Sequence, residues 1–209
     1  VARNRVSDAQ IKLYEEERQR SQKVFADHAQ GFLNGESLST FKSKMQRDIK
    51  TFYIRTALIA KGKNEFTERD RYDLQRFLAL KYQYLNGFVL ALESYKELRT
   101  DQGVTARAAS YGWGWGVFSR YTLPGELADL LPDLPGTSCL GGESCGCFLE
   151  YEFVDGEYHV YWYVNGIKEH CPICIDLSID WSPYIITKEE LVEEYGDEVL
   201  DEDGEFIEF

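Results

Sequence analysis

The sequence predicts an α+β protein: an antiparallel bundle of helices over residues 1–120, a small cysteine-rich β-hairpin module over 121–186, and an acidic tail over 187–209. Three observations carry this. Apolar residues recur three or four apart through the first half, the spacing of a helix face turned to a core. After residue 121 short aromatic and β-branched runs take over, separated by the turn dipeptides Asp155-Gly156 and Asn165-Gly166. The charge changes at the same place. Residues 1–120 carry 21 Lys/Arg against 14 Asp/Glu, a balance of +7, and residues 121–209 carry 2 against 22, a balance of −20. A single well-mixed domain seldom divides this way, which sets the boundary near residue 121.

The first helix follows a cap at Ser7 or Asp8, and Asn34-Gly35 ends it because both residues tolerate positive φ. Ser39 caps a second helix, whose apolar positions Phe41, Met45, Ile49, Phe52 and Tyr53 fall on one face. Gly62 and Asn64 close it. Thr67 with Asp70 three residues later caps a third helix. Its stripe runs through Leu74, Phe77, Leu78, Leu85, Phe88, Val89 and Leu92. Gly103 starts a fourth segment, which leads into "GWGWG". Small residues from Ala106 to Gly116 allow close backbone approach, while Trp113 and Trp115 supply large surfaces. Each glycine weakens a helix by about 1 kcal/mol relative to alanine, so this helix is expected to fray or break at Gly112–Gly116. Its tryptophans either pack within the bundle, the favoured reading, or meet another subunit.

Pro124, Pro132 and Pro135 punctuate the connection that follows, with one helical turn at "GELADLL". "CFLEYEFV" and "YHVYWYV" then form the two strands of a hairpin. Thr187 with Glu190 caps a short helix. From Glu189 onward there are 11 acidic residues and no basic one, and the last ten residues read as a solvated or partner-bound tail.

With 209 residues, 44% apolar and 14% aromatic, the chain can bury a core. No apolar run approaches bilayer length and no signal peptide opens the chain, so the expectation is a soluble protein made inside the cell. In that setting five cysteines favour metal or thiol chemistry over a disulfide framework.

Those cysteines fall in two groups. Cys139, Cys145 and Cys147 lie just before the first strand, and Cys171-Pro172-Ile173-Cys174 follows the second. A hairpin returns the chain to its start, so the two groups should lie side by side. Four thiolates from two turns at one end of a hairpin make a tetrahedral zinc site, with Zn–S near 2.3 Å. The expected ligands are four of Cys139, Cys145, Cys147, Cys171 and Cys174, with a spare not fixed by spacing and His170 as a further candidate. Disulfides are the second reading. A redox dithiol ranks lower, because such motifs open a helix within alternating β and α segments.

Other chemistry is thin. His28 on a helix and His159 in a strand read as structural. "GWGWG" has neither the strand-to-helix context nor the lysine of a phosphate loop. No catalytic constellation is visible, and an enzyme is not expected.

The segment from Leu134 to Tyr184 resembles a recurrent region of tailed-bacteriophage minor head, or head morphogenesis, proteins. In that family a Pro-Gly-x-x-x-Cys stretch leads to Asn-Cys-Arg-Cys, a strand pair, Glu-His-Cys-x-x-Cys and Trp-x-Pro. The counterparts here are Pro135-Gly136 with Cys139, one residue nearer than in that pattern, then Cys145 and Cys147, then Glu169 to Cys174, then Trp181-Ser182-Pro183. The upstream helices are also similar, so the resemblance covers most of residues 31–184. Ser144 and Gly146 replace the family's Asn and Arg, and the pattern of the larger Mu-type minor head domain is missing. The resemblance implies a structural virion protein, a low-copy minor capsid component near the portal. Its partners would be capsid or portal proteins and further copies of itself, with no membrane and no direct DNA contact. The alternative is a zinc-stabilised adaptor whose basic helices bind nucleic acid, suggested by basic and aromatic residues interleaved at "KTFYIR" and "FLALKYQYL". The modest +7 and the neighbouring −20 oppose it.

Overall fold

A computed structural model describes residues 7–62, 66–94, 100–123, 125–131, 147–164, 172–180 and 182–200. Six helices come first: α1 (Asp8–Leu33), α2 (Leu38–Lys61), α3 (Glu68–Ser94), α4 (Asp101–Ser110), α5 (Trp115–Thr122) and α6 (Gly125–Leu130). Then come β1 (Phe148–Val154), β2 (Glu157–Tyr163), α7 (Pro172–Asp180), β3 (Tyr184–Thr187) and α8 (Lys188–Tyr195), with a 3-10 turn at Gly196–Val199.

The helices start where side chains can satisfy the orphan amides of a first turn. Ser7 and Gln10 form a reciprocal capping box on α1, and Ser37 accepts from Thr40 on α2. The α2 cap is therefore Ser37 rather than Ser39. Thr67 and Asp70 exchange the same kind of bonds at the start of α3.

Helices α1, α2 and α3 run antiparallel in turn, as the cross-helix pairs show. At one end of the α1–α2 pair, Gln10 Nε2 donates to the carbonyls of Ile59 and Ala60 at 3.2 and 2.8 Å. Further along, His28 Nε2 lies 2.7 Å from Asp48 Oδ2. On the other side of α2, Lys61 pairs with Asp70 at one end of α3 and Phe41 meets Phe88 edge-on near the other. Helix α4 packs on α1, and α5 packs on α2 and also touches β1. The first core runs from Tyr14 to Tyr121 and includes Phe25, Phe41, Met45, Ile49, Phe52, Leu85 and Phe118.

The fourth helical segment breaks as expected. Helix α4 ends at Ser110, Tyr111–Gly114 forms a turn, and α5 begins at Trp115. The break is fixed by close approach as well as by weak propensity. A Cβ on Gly112 would stand 2.7 Å from the Gln22 backbone nitrogen of α1. One on Gly114, whose φ is +45°, would stand 2.6 Å from the Phe52 ring of α2. Tyr14 OH donates to the Trp113 carbonyl, and the Arg18 guanidinium lies 4.7 Å over the Trp113 ring.

The second core gathers Leu123, Leu127, Leu149, Tyr151, Tyr158, Val160, Trp162, Ile186, Leu191 and Val199. The β1–β2 hairpin closes on Asp155 (φ 53°) and Gly156 (φ 92°), with Val154 opposite Glu157. The hairpin becomes a three-stranded antiparallel sheet, because β3 pairs with β2 through Tyr158↔Ile186. The acidic segment expected as a tail from 187 is packed for its first part. Thr187 closes β3 and forms a capping box with Glu190 on α8, while Leu191 and Val199 are buried at 0% and 1% exposure. Residues 201–209 lie outside the described part.

Two outcomes are expected. Gly114→Ala forces both a clash and a positive φ, and should cost about 1–3 kcal/mol. Gly87→Ala adds a methyl in open space on α3 and should stabilise by about 0.5–1 kcal/mol. Thermal unfolding of both variants checks the contrast. The second outcome concerns Asp70. Burial raises the Asp70 pKa, but hydrogen bonds from Lys61 and Thr67 outweigh that and hold the carboxyl below its ordinary value. A lowered carboxylate contributes stability above its unfolded pKa near 3.9 and loses it as pH falls through the folded value. In urea titrations the advantage of wild type over Asp70→Asn should therefore shrink on going from pH 5 to below pH 3. A constant gap would show that the carboxylate charge contributes nothing.

Candidate metal centre

The β1–β2 register places Phe148 opposite Tyr163, so residues 147 and 164 leave the open end of the hairpin side by side. Cys147 sits there, 6% exposed, in the same cluster as Leu149 and Trp162. From this end the sequence runs back to Cys145 and Cys139 and forward to Cys171. Those three cysteines and His170 lie outside the described residues. Cys174 lies in the first turn of α7, and α7 packs against β2. Among the described residues no three of His, Cys, Asp or Glu are grouped to hold a metal. The hairpin thus brings residues 147 and 164 together, and the full ligand set is not among the described residues.

The environment of Cys147 sets a condition on zinc. A buried thiol among apolar side chains behaves as a small hydrophobe. As a ligand it would be a thiolate, stabilised at this depth only by the charge of the ion.

Residues 172–174, expected as part of a turn, form the first turn of α7. Pro172 opens α7, as proline favours the first helical position: its ring presets φ and its missing N–H is an orphan there in any case. A helix N-terminus favours a thiolate nearby.

At the two segments that suggested a polyanion surface, Lys50 and Arg55 are exposed but aromatic residues and Lys81 turn inward. In "KTFYIR", Phe52 and Tyr53 are both 1% exposed, so they are core residues rather than a stacking platform. In "FLALKYQYL", Lys81 is 4% exposed and lies 5.9 Å from the Tyr53 ring and 5.5 Å from the Tyr84 ring. Other cations pair within the bundle: Arg47 with Asp48 at 2.7 Å, Arg55 with Glu17 at 3.5 Å, and Arg120 with Asp73 at 2.6 Å. The Arg47 guanidinium hydrogen-bonds Asp48 and holds its carboxyl below the usual range.

Sequence reasoning misses Lys81 and Arg120. For Lys81 a signal exists, a charged residue on the apolar stripe between Phe77 and Leu85. Arg120 carries no such mark. In the acidic half a cleft of about 250 Å³ lies between α6, β3 and α8. Leu130 and Ile186 line it together with Tyr184, Glu190, Glu193 and Glu194. His159 is 3.8 Å from Glu157 on the sheet face opposite the second core.

Comparison with protein-family models, with curated proteins and with solved structures gives no match to this chain.

Cys147→Ala separates the two roles open to that residue. If Cys147 only fills the core, the variant should lose about 1 kcal/mol or less of stability and leave metal content unchanged. If it is a ligand, zinc measured by plasma emission on the purified protein should fall by most of one equivalent.

Proposed function

We propose that this chain is a structural, non-enzymatic component of a tailed-phage particle, a minor capsid or head morphogenesis protein that acts by protein–protein assembly. The observation that carries the reading is the cysteine pattern around the β1–β2 hairpin. Cys139, Cys145 and Cys147 precede it, Cys171 and Cys174 follow it, and the order and spacing resemble those of the phage family. Four of these five would hold a structural zinc. The hairpin register supports the clip by returning the chain to its own start. The acidic cleft beside α8 supports docking of a basic surface on a capsid or portal protein. The burial of Phe52, Tyr53 and Lys81 weighs against a nucleic-acid adaptor.

A second reading has one observation in its favour. Cys174 occupies the first turn of α7, the placement that activates a dithiol. Cys171 would then be a thiolate of lowered pKa, and its rate of alkylation would rise well below pH 8.5.

Two measurements test the assembly reading. The protein should co-purify with particles through a density gradient, and its presence only in the lysate supernatant would refute the particle assignment. The isolated protein should contain one zinc and one titratable thiol. Two disulfides and no metal would remove the zinc clip.

A further inference from the structure

We propose that the outer face of α3 is the contact between two copies of this chain, paired antiparallel about a two-fold axis beside residue 81. The pairing rests on α3 alone and needs nothing from the particle reading.

The inner face of α3 is occupied. Leu74, Phe77, Leu78, Leu85, Phe88 and Leu92 are all buried, and α3 packs there on α2. The opposite face carries a second series. Arg69, Tyr72, Arg76 and Ala79 are exposed, and so are Gln83, Asn86, Leu90 and Glu93. Their spacing alternates three and four, the 3.5-residue repeat that keeps one line of side chains turned toward a partner helix. Tyr72 and Leu90 are 62% and 60% exposed, among the most open large apolar side chains described.

The partner is fixed by self-complementarity. Helix α3 spans 68–94, so its midpoint is residue 81. An antiparallel copy in full overlap, about 40 Å long, brings residue n opposite residue 162 − n. In that register Tyr72 meets Leu90, Ala79 meets Gln83, Arg76 meets Asn86, and Arg69 meets Glu93. Each contact occurs twice, as a two-fold interface requires. The layers pair apolar with apolar, small with large, donor with amide, and cation with anion. Antiparallel alignment also sets the two helix dipoles head to tail.

A net charge of −13 opposes contact between copies at most surfaces. This face avoids that repulsion. From Ala79 to Leu90 its exposed residues are Ala79, Gln83, Asn86, Gly87 and Leu90, none of them charged.

Sedimentation equilibrium on the full chain tests the proposal, with circular dichroism to confirm that each variant folds. Wild type should form a reversible dimer. Leu90→Glu, which sets a charge against Tyr72, should weaken it at least about tenfold. Glu93→Arg should also weaken it, and the double variant Arg69→Glu with Glu93→Arg should restore it. If Leu90→Glu fails to fold, the charge-swap pair decides alone. A wild type that sediments as a monomer throughout, a dimer indifferent to these changes, or a swap that does not rescue would each overturn the proposal.

Discussion

The contact on which the bundle depends is the seating of Gly112-Trp113-Gly114 against α1 and α2. Both glycines sit where a methyl group would collide, one with the α1 backbone at Gln22 and the other with the Phe52 ring of α2. The turn can reverse there only because it has no side chains at those two points. Tyr14, buried in the same place with its phenol pKa pushed up by desolvation, donates to the carbonyl between them. From this point α4 leaves across α1 and α5 leaves across α2. Since α5 also touches β1, the same turn sets where the sheet begins relative to the helices. Close approach thus joins a helix break, a buried hydrogen bond and the link between the two cores.

The two cores use charge differently. In the helical half, cations enter the interior in specific pairs. Arg120 is 2% exposed beside Asp73, and Lys61 meets the buried Asp70. A buried pair is a weak source of net stability but a strong selector of arrangement, since either partner left alone is costly. In the second half the core residues are almost wholly apolar and the carboxylates stay at the surface of α8 and the sheet. That half therefore gains stability mainly from apolar burial, while its surface remains acidic.

Much of this organisation is legible in the residues. The stripes of α2 and α3, the caps at Thr67 and Thr187 and the Asp155-Gly156 turn are local signals, and local signals survive folding. The break at Gly112–Gly116 is legible as a weakness. Its tight fit against Gln22 and Phe52 is not, because those partners lie about 60 to 90 residues away in sequence. The third strand is hidden for another reason. Tyr184–Thr187 is only four residues long and runs directly into a capped helix, so it offers no alternating pattern of useful length. Helix α7 is obscured by the cysteines, whose zinc reading places Pro172 in a turn instead of at a helix start. For the candidate centre, the sequence supplies the five cysteines and the hairpin brings residues 147 and 164 together. The geometry of the ligand set depends on residues on either side of the described strands.

The brevity of β3 limits what one side of the sheet offers to other chains. A strand at the side of a sheet offers unpaired amides and carbonyls to any passing chain, and neighbours of the same sequence are the most dangerous takers. Here the sheet order is β1-β2-β3, and β3 can lengthen in neither direction. Pro183 stands immediately before it with no amide hydrogen to give, and the Thr187–Glu190 capping box turns the backbone into α8 immediately after. Trp162 N–H, two residues past the last β2 residue that pairs with β3, donates to Ser182 Oγ at 2.7 Å instead of reaching for another strand. On the β3 side the edge is confined to four residues punctuated at both ends, which leaves little length for a foreign strand to pair with.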